Sequence, residues 1–319
     1  MSNILVTGGA GFIGSHLCER LLSMNHNVIN LDSFSDSYNA SIKRQNILTA
    51  MNHERYKLAE TDIRDAASVE NLIKNSEVDI LVHLAALAGV RRSIENPVEY
   101  VDVDIKGTVN LLEICRRLNI GKFVFASSSS VYGVNKCPFK EEDALELQTS
   151  PYAVAKQSGE AFCRTYNYLY GLPVACLRFF TVYGPRQRPD MAINIFTEAI
   201  VKGSEINMFG DGTSTRDYTY IDDIVDGIIS VLQLRFDFEV FNLGSSNPIS
   251  VKNLIEIIET SLGKQANIKH APLQPGDVPV TCADISKAAR LLGYNPKVRL
   301  QDGIERYVNW YKLFLQRFT

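Results

Sequence analysis

A doubly wound α/β fold is what this chain predicts: a parallel sheet with helices on both faces, followed by a smaller, mostly helical C-terminal lobe. Three observations carry that expectation. The first half alternates short β-branched runs with amphipathic stretches, the strand–helix–strand rhythm of parallel sheets. A glycine triplet, Gly8-x-x-Gly11-x-x-Gly14, sits between the first such run and the first amphipathic stretch. After Arg178 the rhythm breaks, with Pro185, Pro189, Gly203, Gly210 and Gly212 punctuating helical patterns.

Strands are expected at 4–7, 27–31, 56–60, 80–83, 123–126 and 174–178, because each is a short apolar or β-branched run bounded by turn residues. Between them, apolar residues recur at helical spacing over 12–24, 67–75, 98–118 and 152–170. Right-handed crossovers then place these helices on both faces of the sheet. Further helices are expected at 191–201, 222–234, 251–262 and 300–315, with a return to the sheet near 238–243. The division that follows is a Rossmann-type domain over 1–178 and a substrate lobe over 179–319, the chain re-entering the sheet within 220–245.

Composition narrows the function. With 45% hydrophobic and 22% charged residues, the 319-residue chain reads as an ordinary globular protein. A net charge of −3 gives no reason to expect nucleic acid or an anionic membrane as partner. No basic segment followed by a long apolar run opens the chain, and no stretch reaches the ~20 apolar residues of a membrane span. The six cysteines are scattered without a C-x-x-C pair, as in reduced, cytoplasmic proteins. Five histidines show no metal-ligand spacing, so no metal is expected, and His83 reads as a satisfied core residue.

The glycine triplet points to a dinucleotide. Between a strand and a helix, Gly8, Gly11 and Gly14 allow a tight turn and close approach of backbone to a pyrophosphate. Phe12 and Ile13 open the helix, whose N-terminus offers unpaired N–H groups. Asp32 ends the second strand, where its carboxylate accepts ribose hydroxyls and repels a 2′-phosphate. No Arg or Lys stands between Asp32 and Lys43, which favours NAD over NADP. Asp62 and Ile63 suit an adenine edge, and Leu84, Ala85 and Ala86 are small enough for a cofactor to lie across the strand ends.

Tyr152 and Lys156 share a helix face at four-residue spacing. A free tyrosine has a pKa of about 10, and bringing it to about 7 takes roughly 4 kcal/mol of differential stabilisation. An ammonium supplies part of that, and an oxidised nicotinamide ring supplies a second positive charge.

Together the glycine turn, Asp62, His83-Leu84-Ala85-Ala86, Ser127–Gly133, Tyr152-x-x-x-Lys156 and Arg178-Phe179-Phe180 resemble the extended short-chain dehydrogenase/reductase superfamily. Within it they resemble the nucleotide-sugar 4-epimerases. Gly89-Val90-Arg91, Thr181-Val182-Tyr183-Gly184-Pro185-Arg186, Arg188-Pro189-Asp190-Met191, Arg216-Asp217-Tyr218 and Gly276-Asp277 are closest to the UDP-glucuronate 4-epimerase branch. The resemblance implies that Tyr152, as phenolate, takes the proton of the sugar 4-OH while C4 passes hydride to NAD. Lys156 then holds the nicotinamide ribose, and Ser128 bonds O4.

If 127–130 continues the strand, Ser128 and Ser130 share one face and Ser127 and Ser129 the other. Arg216 is the candidate phosphate clamp, Met208 and Phe209 the uracil neighbours, and Arg186, Thr181 and the 89–93 loop, which holds Gly89, Val90 and Arg91, the groups for a carboxylate; Asp277 joins the substrate set. Oxidised glucuronate is a β-keto acid, so an epimerase must keep its carboxylate from aligning with the carbonyl π system. Related decarboxylases and dehydratases place carboxylates where this chain has Ser129 and Ser130, which counts against both activities. UDP-glucose or UDP-N-acetylglucosamine epimerisation, and a non-catalytic NAD sensor, are the alternatives. Asp104 stands where the pattern commonly has asparagine, and the helices over 98–118 and 152–170 suggest a homodimer.

Overall fold

The computed structural model describes residues 1–315. Its strands are β1 (Asn3–Thr7), β2 (Asn27–Asp32), β3 (Tyr56–Glu60), β4 (Ile80–His83), β5 (Lys122–Ser128), β6 (Val174–Phe179), β7 (Thr181–Tyr183), β8 (Glu205–Phe209), β9 (Thr215–Tyr220), β10 (Phe238–Leu243), β11 (Pro248–Ser250) and β12 (Asn267–Ala271). Seven of them form one sheet in the order β10-β6-β5-β4-β1-β2-β3, and every neighbouring pair is parallel.

Alternation along the strands feeds both faces. Ile4 and Val6 enter one core with Leu17 and Leu21 of the Phe12–Ser23 helix. Leu5 and Ile29 enter the other with Leu111, Leu112 and Cys163 from the helices over Gly107–Arg117 and Pro151–Tyr170. Because β1 lies between β2 and β4, the chain leaves β1 and β4 in opposite directions. A crevice opens over their C-terminal ends, where doubly wound folds bind ligands.

Two helices set up the site. In the Pro151–Tyr170 helix the Ser150 side chain accepts from Ala153 N at 3.2 Å, Pro151 takes the first turn, and Gly171 ends it at φ 67°. The expected helix over 98–118 is present but not uniform: Pro97–Tyr100 runs into a π-helical segment, Val101–Lys106, before Gly107–Arg117. Hydrophobic period alone does not distinguish a π segment from the α-helix around it.

The smaller lobe packs the helices Ala192–Lys202, Val251–Leu262 and Leu300–Leu315 beside two small sheets, β11-β9-β7 and β12-β8. These short strands escaped sequence reading because runs such as Thr215–Tyr220 mix charged and aromatic residues without alternation. β10 joins the large sheet beside β6, pairing Phe238 with Val174.

Candidate active site

A cleft of about 800 Å³ lies over the C-terminal ends of β1 and β4 and reaches the smaller lobe. Gly8, Gly11, Phe12, Ile13, Gly14, Asp32, Asp62, Ile63, Leu84, Ala85 and Ala86 line it, as does the pair Tyr152 and Lys156. Gly89, Val90, Arg91, Ser128, Ser129, Ser130, Thr181 and Asp277 line the remainder. Residues spread over most of the chain thus converge on one cavity.

The glycine turn fits a pyrophosphate. Gly8 has φ 70°, and a Cβ at Gly14 would sit 2.2 Å from the Gly8 carbonyl oxygen, so no larger residue fits between turn and helix. A Cβ on Gly8 would meet Ala85 N at 2.8 Å. Asp32 is buried and accepts from Ala10 N (3.1 Å) and Phe34 N (2.8 Å). Lys43, which sequence reading passed over, stands 3.9 Å from Asp32 and donates to Ser35 O (3.1 Å) and Ser35 Oγ (3.2 Å). It sits on the Ala40–Asn46 helix, and its approach to the end of β2 is a tertiary contact that spacing does not encode. At the far end Asp62 is held by Arg64 at 2.7 Å, which keeps its carboxyl below the usual range.

Beneath the cofactor end a buried polar chain fixes the strand ends. Thr108 Oγ donates to the Asp104 carbonyl, so His83 Nε2 must donate to Thr108 Oγ (3.0 Å), leaving Nδ1 to accept from Thr7 Oγ (2.8 Å). Thr7 Oγ in turn accepts from Ala85 N at 3.2 Å. His83 is therefore neutral, and burial, reinforced by the Lys156 charge, pushes its pKa down to about 3. It is the satisfied core residue that the sequence suggested.

The reactive end lies on the helix that Ser150 caps. Tyr152 sits in its first turn, edge-on to Tyr100 at 6.2 Å between centroids. The buried Lys156 Nζ lies 5.9 Å from the Tyr152 ring centroid and 5.2 Å from that of Phe125. The serine run does not stay extended: β5 ends at Ser128, and Ser129–Tyr132 forms a 3-10 turn. The expected face-sharing of Ser128 and Ser130 by strand alternation is thereby replaced by a cap. Ser128 Oγ accepts from Ser130 N at 3.1 Å and lies 3.2 Å from Ser130 Oγ, and all three of Ser128, Ser129 and Ser130 reach the cleft. Ser127 also borders the cleft, but its buried hydroxyl donates to Glu160, which binds Arg178 through both oxygens at 2.9 and 2.8 Å.

Four expected substrate contacts lie outside the cleft lining. Arg186 adopts φ 66° and turns to Glu19 of the Phe12–Ser23 helix at 2.8 Å, beside His16. Arg188, two residues on, lines the cleft instead, held by both oxygens of Asp190 at 2.9 Å. Met208 is buried because β8 alternates, sending Ile206 and Met208 into the core. Its neighbour Phe209 is half-buried on the other face of β8 and lies under the guanidinium of the cleft-lining Arg91, 4.5 Å from the ring. Arg216 donates to the adjacent Thr215 carbonyl, while the buried Asp217 beside it accepts from Ser245 N, Ser246 N and Ala283 N. Arg91 also pairs with Asp277 at 3.3 Å, joining the two sides of the entrance.

Comparison with known proteins fits this geometry. The UDP-glucuronate 4-epimerase of Thermodesulfobacterium geofontis is 42% identical over 98% of this chain and 97% of its own. A UDP-glucuronic acid 4-epimerase from Bacillus cereus, solved with UDP-glucuronic acid and NAD, superposes with a TM-score of 0.93 at 40% identity, covering 98% of this chain and 99% of that one. A UDP-glucose 4-epimerase from Thermotoga maritima, solved with UDP-glucose, gives 0.90 at 33% identity over 98% and 99%. The family model described as GDP-mannose 4,6 dehydratase matches residues 5–307, so with its glycine turn, Tyr152 and Lys156 in one cleft the chain belongs to that family.

Proposed function

We propose that this protein is an NAD-dependent UDP-sugar 4-epimerase that interconverts UDP-glucuronate and UDP-galacturonate. The observation that carries the reading is the convergence of Gly8–Gly14, Ser128, Tyr152 and Lys156 on one cleft, with serines at 129 and 130. The relatives' substrates, UDP-glucuronic acid above all, support the sugar.

The glycine turn, Asp32, Asp62 and Lys156 would hold NAD, which would supply the hydride acceptor and donor for C4. Tyr152 takes the proton from the 4-OH and returns it after the ketone has turned over, so it serves as both base and acid. Lys156 favours its phenolate form, and Ser128 Oγ hydrogen-bonds O4. The diphosphate and uridine lie toward Arg91, Phe209 and Asp277, where the first half of the chain meets the smaller lobe.

Arg188 takes the place first given to Arg186. Fixed by Asp190 and facing the cleft, its guanidinium matches a carboxylate and keeps the C5–carboxylate bond out of line with the C4 carbonyl π system. With Ser129 and Ser130 offering hydroxyls where a decarboxylase or dehydratase needs an acid or base, the ketone returns to alcohol. A panel of UDP-glucuronate, UDP-glucose and UDP-N-acetylglucosamine tests the choice: the highest kcat/KM on UDP-glucuronate is expected, and a preference for either neutral sugar overturns it.

Val98 (78% exposed), Val101 (56%) and Val154 (47%) form an unpartnered apolar face on the two long helices, which a second copy would cover as a four-helix interface. Sedimentation at micromolar concentration should give twice the monomer mass. All six cysteines are free and no helix among the described residues is long and apolar enough to cross a membrane, consistent with the reducing cytoplasm.

A further inference from the structure

The helix that carries Tyr152 and Lys156 presents a third polar residue on the same face. Glu160 follows Lys156 by four residues, as Lys156 follows Tyr152, so the three stand in one row on the Pro151–Tyr170 helix. At about 1.5 Å of rise per residue, Glu160 stands ~12 Å from Tyr152 along the axis, too far to move a proton at O4. Its buried carboxylate instead gathers three donors from the sheet. Arg178 of β6 reaches it through Nε (2.9 Å) and Nη2 (2.8 Å), and Ser127 of β5 through its hydroxyl (2.5 Å). Arg178 and Ser127 are buried as well.

These groups bracket the serine turn. Ser127 and Arg178 are register partners in the β5–β6 ladder, and Ser128, the next residue, ends β5 and caps the turn over Ser129–Tyr132. Beyond the turn the Arg178 guanidinium lies 4.7 Å over the Tyr132 ring, whose hydroxyl donates to Asn242 Oδ1 at 2.7 Å. Ser128, Ser129 and Ser130 are therefore held at one end by Glu160 and at the other by its partner Arg178. The helix rests directly on β5, for a Cβ at Gly159 would meet Phe125 Cζ at 2.4 Å. Gly159 thus sets the spacing between helix and strand, and the directional bonds of Glu160 set their register. Desolvation offsets much of the attraction in a buried ion pair, so geometry rather than stability is what such a pair supplies best.

We propose that Glu160, acting through Ser127, is a positioning residue for the epimerisation: the tie aligns Ser128 Oγ with the Tyr152 hydroxyl so that both reach the same sugar O4. Ser127 and Ser128 are consecutive, so freeing the Ser127 hydroxyl releases the end of β5 and lets the turn that Ser128 caps shift against the helix. The glycine turn and the Arg91–Asp277 entrance lie on other elements and keep their contacts. The chemical step then slows while binding holds. This inference rests on the epimerase reading of the site.

The test is a double-mutant cycle with UDP-glucuronate: wild type, Ser127→Ala, Ser128→Ala and the double variant, with kcat taken per bound NAD and KM measured for each. Ser127→Ala leaves both Arg178–Glu160 bonds in place and removes only the tie. It is expected to lower kcat by ~10-fold, the size of one lost hydrogen bond, with KM within about twofold of wild type. In the Ser128→Ala background the same change should cost less than about twofold, because no Ser128 hydroxyl is left to align. A merely structural hydroxyl would cost the same factor in both backgrounds. Equal factors, or a wild-type kcat in Ser127→Ala, overturn the proposal. Ser127→Thr, which restores the hydroxyl, should recover kcat, and failure to do so counts against it. If Ser127→Ala does not fold, Ser127→Cys, close in shape and a weak donor, takes its place. If neither folds, the hydroxyl serves the fold alone and the proposal falls. A wild type inactive on every UDP-sugar removes the epimerase reading itself, whereas an active wild type with equal factors removes this inference alone.

Discussion

Replacing Asp104 by asparagine should make the protein more stable at neutral pH, an unusual outcome for a buried polar position. The unfolded carboxyl titrates near 3.9, whereas burial lifts it to about 6 in the folded chain even with Lys156 nearby. The difference is roughly two units, and at about 1.4 kcal/mol per unit the ionised group costs the fold about 3 kcal/mol above both values. The sign follows from the folded value being the higher one. Below about pH 3.9 the carboxyl is neutral in both states and carries no penalty. As pH rises through 4 to 6 the unfolded chain ionises first, and stability is lost until the folded group has also ionised. Urea unfolding of apo wild type and D104N at pH 4.5, 6 and 7.5 reads this directly. The advantage of D104N should grow by about 2 kcal/mol from the first pH to the last. A difference that stays constant, or that favours wild type more as pH rises, refutes the reasoning.

Other expectations follow from the same geometry. Tyr152→Phe should lower kcat by ~10²–10⁴ while leaving bound NAD on the purified protein, measured by nucleotide release on denaturation. Gly14→Ala should abolish that retained nucleotide, because the added Cβ would sit 2.2 Å from the Gly8 carbonyl oxygen. Arg188→Leu should cost ~10–100-fold in kcat/KM on UDP-glucuronate, the size of a charge-assisted contact, with little change on UDP-glucose. Glu160→Ala strands the buried Arg178 guanidinium and should cost about 3–5 kcal/mol in a denaturant melt.

Features set by local chemistry were readable before the structure. Glycine spacing, strand-run composition and the Tyr152–Lys156 offset each depend on neighbours within one element, and each appears where expected. What escaped depended on directions that spacing does not encode. Arg186 and Arg188 look equivalent in sequence until φ 66° at Arg186 sends one to Glu19 and leaves the other in the cleft. Met208 and Phe209 look alike in sequence, but β8 alternation sends the first into the core and leaves the second under Arg91, and which face is the core depends on the lobe around it. The serine run becomes a 3-10 turn because Ser128 caps it, so the face-sharing argument ends with β5. The π segment that aims Asp104 inward has the same apolar period as an α-helix, although the residue itself stood out as an acid where asparagine was expected.

The central claim is that the site oxidises and re-reduces C4 of a UDP-uronate without letting the intermediate leave or lose carbon dioxide. Proton NMR of UDP-glucuronate incubated with the purified protein tests it most directly. The account predicts new H4 and H1 signals of UDP-galacturonate that rise to a stable equilibrium, with total uronate conserved and the same mixture reached from UDP-galacturonate. Unchanged UDP-glucuronate, or a UDP-pentose formed with release of carbon dioxide, would contradict it.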